Sequence, residues 1–232
     1  MLWDVDGGLP VIDKYLYSTD SAIVAGANLA VGVLNCGVRN DNDPAMALLS
    51  EAVDKEEASV RIGAIMGLGL AYVGSQKEDL LSLLCPVLVD NKAPLDVVGF
   101  TAVALGLVFV GSANEEAATH ILSAMMERES EMGECCARYL AVGLGLLFLG
   151  NQGGVVAILP VIATLSKHIR LYTQITVESL AYAGTGNVLK VKGMVQGFYV
   201  QDSRFKGVES ISVTMYVNVG VTQKGKPEKL NI

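Results

Sequence analysis

Apolar residues along this chain recur in blocks, not in a single core-forming pattern. Five blocks align with one another: AVGVLNCG at 30–37, GLGLAYVG at 67–74, ALGLVFVG at 104–111, GLGLLFLG at 143–150 and, more weakly, VESLAYAG at 177–184. Their closing glycines stand 37, 37, 39 and 34 residues apart. A period of that length is one helix-turn-helix unit of a solenoid, in which no unit can bury its apolar face alone. Each unit reads as a polar-faced helix followed by a nearly all-apolar one. A helix apolar on all sides has to be covered on all sides, so the apolar helices form an inner layer and the amphipathic ones an outer layer. The helix carrying residues 116–127 shows the division: Ala118, Ile121, Leu122 and Met125 share one face, while Glu116, His120, Ser123 and Glu127 share the other.

Local signals fit the same period. Asp43 before Pro44 reads as an N-cap with proline at the first helical position, and Ser75 with Glu78 as a capping box. Each closing glycine supplies the left-handed residue that ends an apolar helix. Glycine inside a helix costs about 1 kcal/mol relative to alanine, so Gly67, Gly69, Gly106, Gly143 and Gly145 require a compensating reason. Close approach of neighbouring helices supplies it, because dispersion attraction then acts between backbones where a side chain would otherwise hold them apart. Beyond Lys192 the repeat stops. Residues 193–200 and 211–221 are rich in β-branched and aromatic residues, and 223–229 is polar, so 193–232 is expected to be a short non-repeat tail, a β-hairpin or a disordered end.

Composition narrows the function. The chain has 232 residues, is 51% hydrophobic and only 18% charged, and carries 25 glycines, which suits thin helices packed closely. Its net charge is −7, with the acidic excess before residue 193, so nucleic acid and anionic membrane are poor partners and a basic protein surface is a better one. The apolar runs at 62–74, 97–111 and 139–150 are shorter than the roughly 20 residues a membrane span requires. Met1 to Asp6 lack the basic and apolar segments of a secretory signal. Cys36, Cys85, Cys135 and Cys136 lie in or beside apolar runs without disulfide or metal spacing, and they suit buried thiols in a reducing compartment. On an α-helix, the adjacent Cys135 and Cys136 would point about 100° apart, which disfavours joint metal binding. The Gly67-x-Gly pair lies inside an apolar helix instead of after a strand, and His120 and His168 lack ligand or nucleophile partners at useful spacing. A binding scaffold without cofactor is therefore expected, not an enzyme.

These blocks resemble proteasome/cyclosome repeats, whose hallmark is a Gly- and Ala-rich apolar helix ending like GLGLAYVGS. Such arrays occur in proteasome scaffold subunits and in the largest subunit of the anaphase-promoting complex. The segments WDVDGGL (3–9), IDKYLY (12–17), GVRN (37–40), DPA (43–45) and GNVLKV (186–191) resemble the former, the large non-ATPase scaffolds of the regulatory particle base. The similarity spans about residues 1–192, and the expected fold is all-α, an α-solenoid forming an arc of a toroid. Residues 193–232 are then expected to be an unrelated extension from mis-splicing or read-through. The resemblance implies a scaffold in cytoplasm and nucleus that holds the proteasomal ATPase subunits and receives ubiquitin, ubiquitin-like domains and a deubiquitinase. It places ubiquitin and ubiquitin-like binding on Glu116, His120, Ser123 and Glu127, with Ser123 standing where some members carry an acid. It places deubiquitinase docking at Val5 and Asp6. The competing reading is a purely structural repeat scaffold, of the anaphase-promoting type, without ubiquitin binding.

Overall fold

The computed structural model describes residues 4–38, 40, 42–186, 214–216 and 229–231. Ten α-helices are described: α1 Val5–Leu16, α2 Ser21–Asn35, α3 Pro44–Leu49, α4 Ala58–Ala71, α5 Glu78–Val89, α6 Leu95–Val108, α7 Glu115–Glu127, α8 Ala137–Leu147, α9 Gln152–Ile162 and α10 Lys167–Ala181. They pair into five hairpins, with α2, α4, α6, α8 and α10 packed in sequence as an inner layer and the odd-numbered helices outside them. This is the all-α repeat solenoid that the 34–39-residue spacing predicts. The seam between layers is fully buried, with Ile65, Leu68, Leu105, Leu140, Leu144 and Val177 at its centre. Among the described residues, no helix is long and apolar enough to cross a membrane.

The inner helices touch backbone to backbone at glycine. A methyl group on Gly32 would lie 2.1 Å from the carbonyl oxygen of Gly67, one on Gly63 would lie 2.4 Å from that of Ala25, and one on Gly67 would lie 2.6 Å from that of Asn28. The same happens two units later, where a methyl on Gly106 would lie 2.5 Å from the Gly143 oxygen and one on Gly143 2.3 Å from the Ala102 oxygen. No carbon can occupy such positions without the helices moving apart. Gly145 differs, because a methyl there meets the flexible end of Leu180 at 2.5 Å.

The five closing glycines all take left-handed φ values of 69° to 73°. Their turns also reach across to the next unit. The amides of Gly74, Gly111 and Gly150 donate to the carbonyls of Leu107, Leu146 and Leu180 at 3.0, 3.0 and 3.1 Å. Two residues further on, Gln76 and Ala113, also left-handed, donate to Val108 at 3.1 Å and Leu147 at 2.8 Å. The acceptors are carbonyls in the last turn of an inner helix, which its i→i−4 ladder does not satisfy. One unit therefore caps the next.

Three local expectations are corrected. The Ser75–Glu78 capping box does not form: α5 starts at Glu78, after Lys77, and has no side-chain cap. The amides of Gly74 and Gln76 are committed to α6, which holds Ser75 in the turn before the helix can begin. Asp43 does occupy the N-cap of α3 with Pro44 behind it, yet its carboxylate makes no cap bond. It accepts instead from the Tyr72 hydroxyl and pairs with Lys77. Tyr72 in turn accepts from the Met46 amide at 3.1 Å, so the end of α4, the partner helix in the same hairpin, provides the cap. Cys135 and Cys136 precede α8 in a turn instead of lying on a helix, and their sulfurs stand 3.8 Å apart. The outer helix of the second unit is also short, with α3 passing into a 3-10 turn at Ser50–Asp54.

In the tail, β1 (Thr214–Tyr216) pairs antiparallel with β2 (Lys229–Asn231) in the register Thr214↔Asn231, Met215↔Leu230, Tyr216↔Lys229. The expected strand at 193–200 and the 192/193 boundary itself lie outside the described residues.

Burial raises the Asp43 carboxyl, but the bonds from Lys77 and Tyr72 and the ammonium charge outweigh it and hold the group below its ordinary 3.8. Its contribution is thus present above that value and lost as pH falls through the lower folded one. Asp43→Asn is expected to lower urea-unfolding stability at pH 7 by about 1 kcal/mol or less, since the side chain is 39% exposed. The gap between parent and variant should close as the pH drops below 3.8.

Gly143→Ala is expected to destabilise by about 1–3 kcal/mol through overpacking. Gly26→Ala, on the α2 face where a methyl meets nothing within 4 Å, should gain stability by about 0.5–1 kcal/mol. Thermal and chemical denaturation of both variants measures the opposed signs.

Candidate functional site

The outer face of α7 is built by its own caps and by its neighbours. Asn114 opens the helix by accepting from the Ala117 amide at 2.9 Å, and Glu115 and Glu116 follow in the first turn, where the helix dipole favours acids. At the far end Arg128 is held in place: its Nε donates to Glu131 at 3.0 Å and one terminal nitrogen donates to the Ala93 carbonyl at 2.8 Å. That bond ties the end of α7 to the turn before α6. With Ala117, Ala118, Ile121, Leu122, Ala124 and Met125 buried, the helix cannot rotate, and the outward side is fixed.

Glu116, His120, Ser123 and Glu127 lie at steps of four, three and four residues, within about 60° of the helix circumference. The structure brings these four together on one face, with Glu116 and Glu127 exposed and His120 and Ser123 half-buried. Glu116 leans toward α5, where Cys85 is buried. Burial first, and the Glu116 charge second, push the Cys85 thiol up to about 11. Cys85 is therefore a neutral packing group and not a nucleophile.

Val5 and Asp6 lie elsewhere, at the start of α1 in the first hairpin, whereas α7 belongs to the fourth. Asp4 caps that helix by accepting from the Gly7 amide at 3.2 Å. Val5 is buried at 6% exposure and only Asp6 faces solvent. Of that pair, Asp6 can make contact and Val5 can only position it.

Sequence reasoning missed a groove beside the acidic face. Between α7 and α9 runs a depression of about 510 Å³, lined by Ala118, Leu122 and Met126 on one wall and Phe148, Ile158 and Val161 on the other. Ser123 also lines it, so the acidic face and the apolar groove share an edge. The available signal was Met126, an apolar residue that falls off the buried stripe and is 45% exposed. Carboxylates beside an apolar trough form a surface suited to a protein ligand with a mixed basic and apolar patch.

Comparison with known proteins agrees with the repeat. Residues 63–96 match the Proteasome/cyclosome repeat family. The chain is 54% identical over 195 residues to 26S proteasome non-ATPase regulatory subunit 2 homolog B of Arabidopsis thaliana, covering 84% of this chain and 22% of that one. It is 45% identical over 195 residues to 26S proteasome non-ATPase regulatory subunit 2 of Dictyostelium discoideum, with the same coverage. A 26S proteasome regulatory subunit rpn-1 of Neurospora crassa is 38% identical over 234 residues, covering 97% of this chain and 26% of that one, so its alignment runs past residue 192. The chain thus spans about a quarter or less of the length of these relatives. With five stacked hairpins ending in left-handed glycines and this identity along most of its length, the chain carries a match to the proteasome/cyclosome repeat and is similar to a stretch of the proteasome's non-ATPase regulatory subunit 2.

Proposed function

We propose that this chain is a non-catalytic scaffold segment of the proteasome regulatory particle base, docking ubiquitin, ubiquitin-like shuttle domains and a deubiquitinase in ubiquitin-dependent protein degradation. The observation that carries the reading is the identity of 45% and 54%, over 84% of the chain, to subunits named as regulatory and non-ATPase. On this reading the inner layer provides rigidity, the array holds neighbouring ATPase subunits, and the protein works in cytoplasm and nucleus.

Ubiquitin and ubiquitin-like domains dock on Glu116, His120, Ser123 and Glu127. The two acids attract a basic surface, Ser123 joins them to the α7–α9 groove, and the groove accepts apolar side chains. Exposed ion pairs contribute about 0.2–1 kcal/mol each, so the complex is weak and readily reversed. Such reversibility suits a surface that hands on what it receives. Asp6, positioned by buried Val5, serves the deubiquitinase separately, because it lies on another hairpin.

Titration of labelled ubiquitin into the 232-residue chain and into Glu116→Lys/Glu127→Lys tests the stripe. Two charge reversals on exposed pairs are expected to weaken binding by roughly tenfold, while helical circular dichroism stays the same. Asp6→Lys should leave this titration unchanged and reduce retention of a deubiquitinase's ubiquitin-like domain. Unaltered ubiquitin binding in the double variant would remove the acidic face as the docking surface and favour a purely structural scaffold.

A further inference from the structure

Cys135 and Cys136 stand side by side in the turn that joins α7 to α8, within the fourth of the five hairpins. Cys135 is exposed, Cys136 is half-buried, and their sulfurs are 3.8 Å apart. The fold holds them there. Met132 and Ala137, on either side of the pair in sequence, are buried. As α8 begins, the Cys135 and Cys136 carbonyls accept from the Arg138 and Tyr139 amides at 3.3 and 3.0 Å. A methyl group on Gly99 would lie 3.0 Å from the Cys136 carbonyl oxygen, so the backbone of α6 supports the turn directly.

Neighbouring thiols can bond to each other or share an ion, and the distances separate the two. A disulfide sets its sulfurs about 2.05 Å apart and its Cα atoms usually about 4.4 Å apart or more. Consecutive Cα atoms across a trans peptide are only about 3.8 Å apart. A direct bond would therefore draw the sulfurs together against a backbone too short for it. An ion of the zinc type binds each thiolate at about 2.3 Å in tetrahedral geometry, which places two sulfurs about 3.8 Å apart. The observed spacing equals that edge without any movement.

Local charge points the same way. Burial, then the contact with Cys135, then the charges of Asp96 and Glu134 push the Cys136 thiol above its ordinary value. These carboxylates disfavour a bare thiolate, whereas a bound cation reverses the balance by neutralising it. Asp96 reaches the pair from the first turn of α6, so this charge too is brought by the fold. Among the described residues, no group of three or more His, Cys, Asp and Glu side chains is placed to hold an ion. The carboxylates thus act through charge, and the two sulfurs are the protein's ligands.

We propose that Cys135 and Cys136 form a two-thiolate site for a soft divalent cation of the zinc type, with the remaining coordination positions filled by water. Binding exchanges two S–H bonds for two metal–sulfur bonds and releases two protons to solvent, with no change of oxidation state. An ion held through two protein bonds exchanges more readily than one in a closed four-ligand structural site.

Titration of the reduced 232-residue chain with Cd²⁺, followed by thiolate-to-metal charge-transfer absorbance, tests the site. One ion is expected to bind per chain and to be displaced by Zn²⁺. Cys135→Ser and Cys136→Ser should each weaken binding by roughly tenfold or more, because either leaves a single thiolate. Cys36→Ser should bind as the parent does, and helical circular dichroism should be the same in all three. Asp96→Asn is expected to weaken binding about twofold to fivefold through lost charge alone. A parent without the absorbance, one ion shared by two chains, or full affinity in either Cys135→Ser or Cys136→Ser would overturn the proposal. Equal affinity in the urea-unfolded chain would also overturn it, since adjacency in sequence and not the folded turn would then make the site. Ubiquitin does not enter this readout, so the result is independent of the docking titration.

Discussion

The structure depends on direct approach of backbone to backbone between consecutive inner helices. At Gly32, Gly63, Gly67, Gly106 and Gly143, the space a methyl group would need is already taken by a carbonyl of the next helix or the one before. Glycine lowers intrinsic helix stability by about 1 kcal/mol per position, so isolated helices of this composition would be poor. Stacked, they offset that cost through dispersion attraction along the full length of each seam. Helix and stack are therefore mutually dependent.

The turns extend that dependence to the hydrogen bonds. Helices end with carbonyls that have no partner within the helix. Here the closing turn of one unit donates to those carbonyls in the next, as Gly74 does to Leu107 and Ala113 to Leu147. Within the second hairpin, Tyr72 at the end of α4 does the same for α3 by accepting from the Met46 amide. Because each unit completes its neighbour, stability becomes a sum of interface terms along the array. The rigid wall that results fixes which side of α7 faces solvent, and so holds Glu116 and Glu127 on one face.

Much of this could be read in the sequence because repetition multiplies weak signals. One glycine-terminated apolar block is ambiguous, whereas five at near-constant spacing define the unit, the layer assignment and the left-handed turns. The main corrections came from contacts between residues distant in sequence, to which a local pattern is blind. Asp43 has the right chemistry and position for a cap, but Tyr72 and Lys77, 29 and 34 residues away, draw its carboxylate off. Ser75 fails as a cap because the amides beside it belong to α6. The acidic face on α7 was legible from helical spacing alone. The groove was not, since Phe148, Ile158 and Val161 come from beyond the next hairpin turn, and only the stacking of α9 beside α7 brings them there.

A scaffold of this kind acts by presenting surfaces at fixed separations, and everything presented rests on the stacking of α2, α4, α6, α8 and α10. Amide hydrogen exchange at the closing glycines examines that stacking directly. An ordered stack requires slow exchange at Gly74, Gly111 and Gly150, whose amides are bonded to the following helix. Uniformly fast exchange at all three would contradict the inter-unit bonds and, with them, the stack itself.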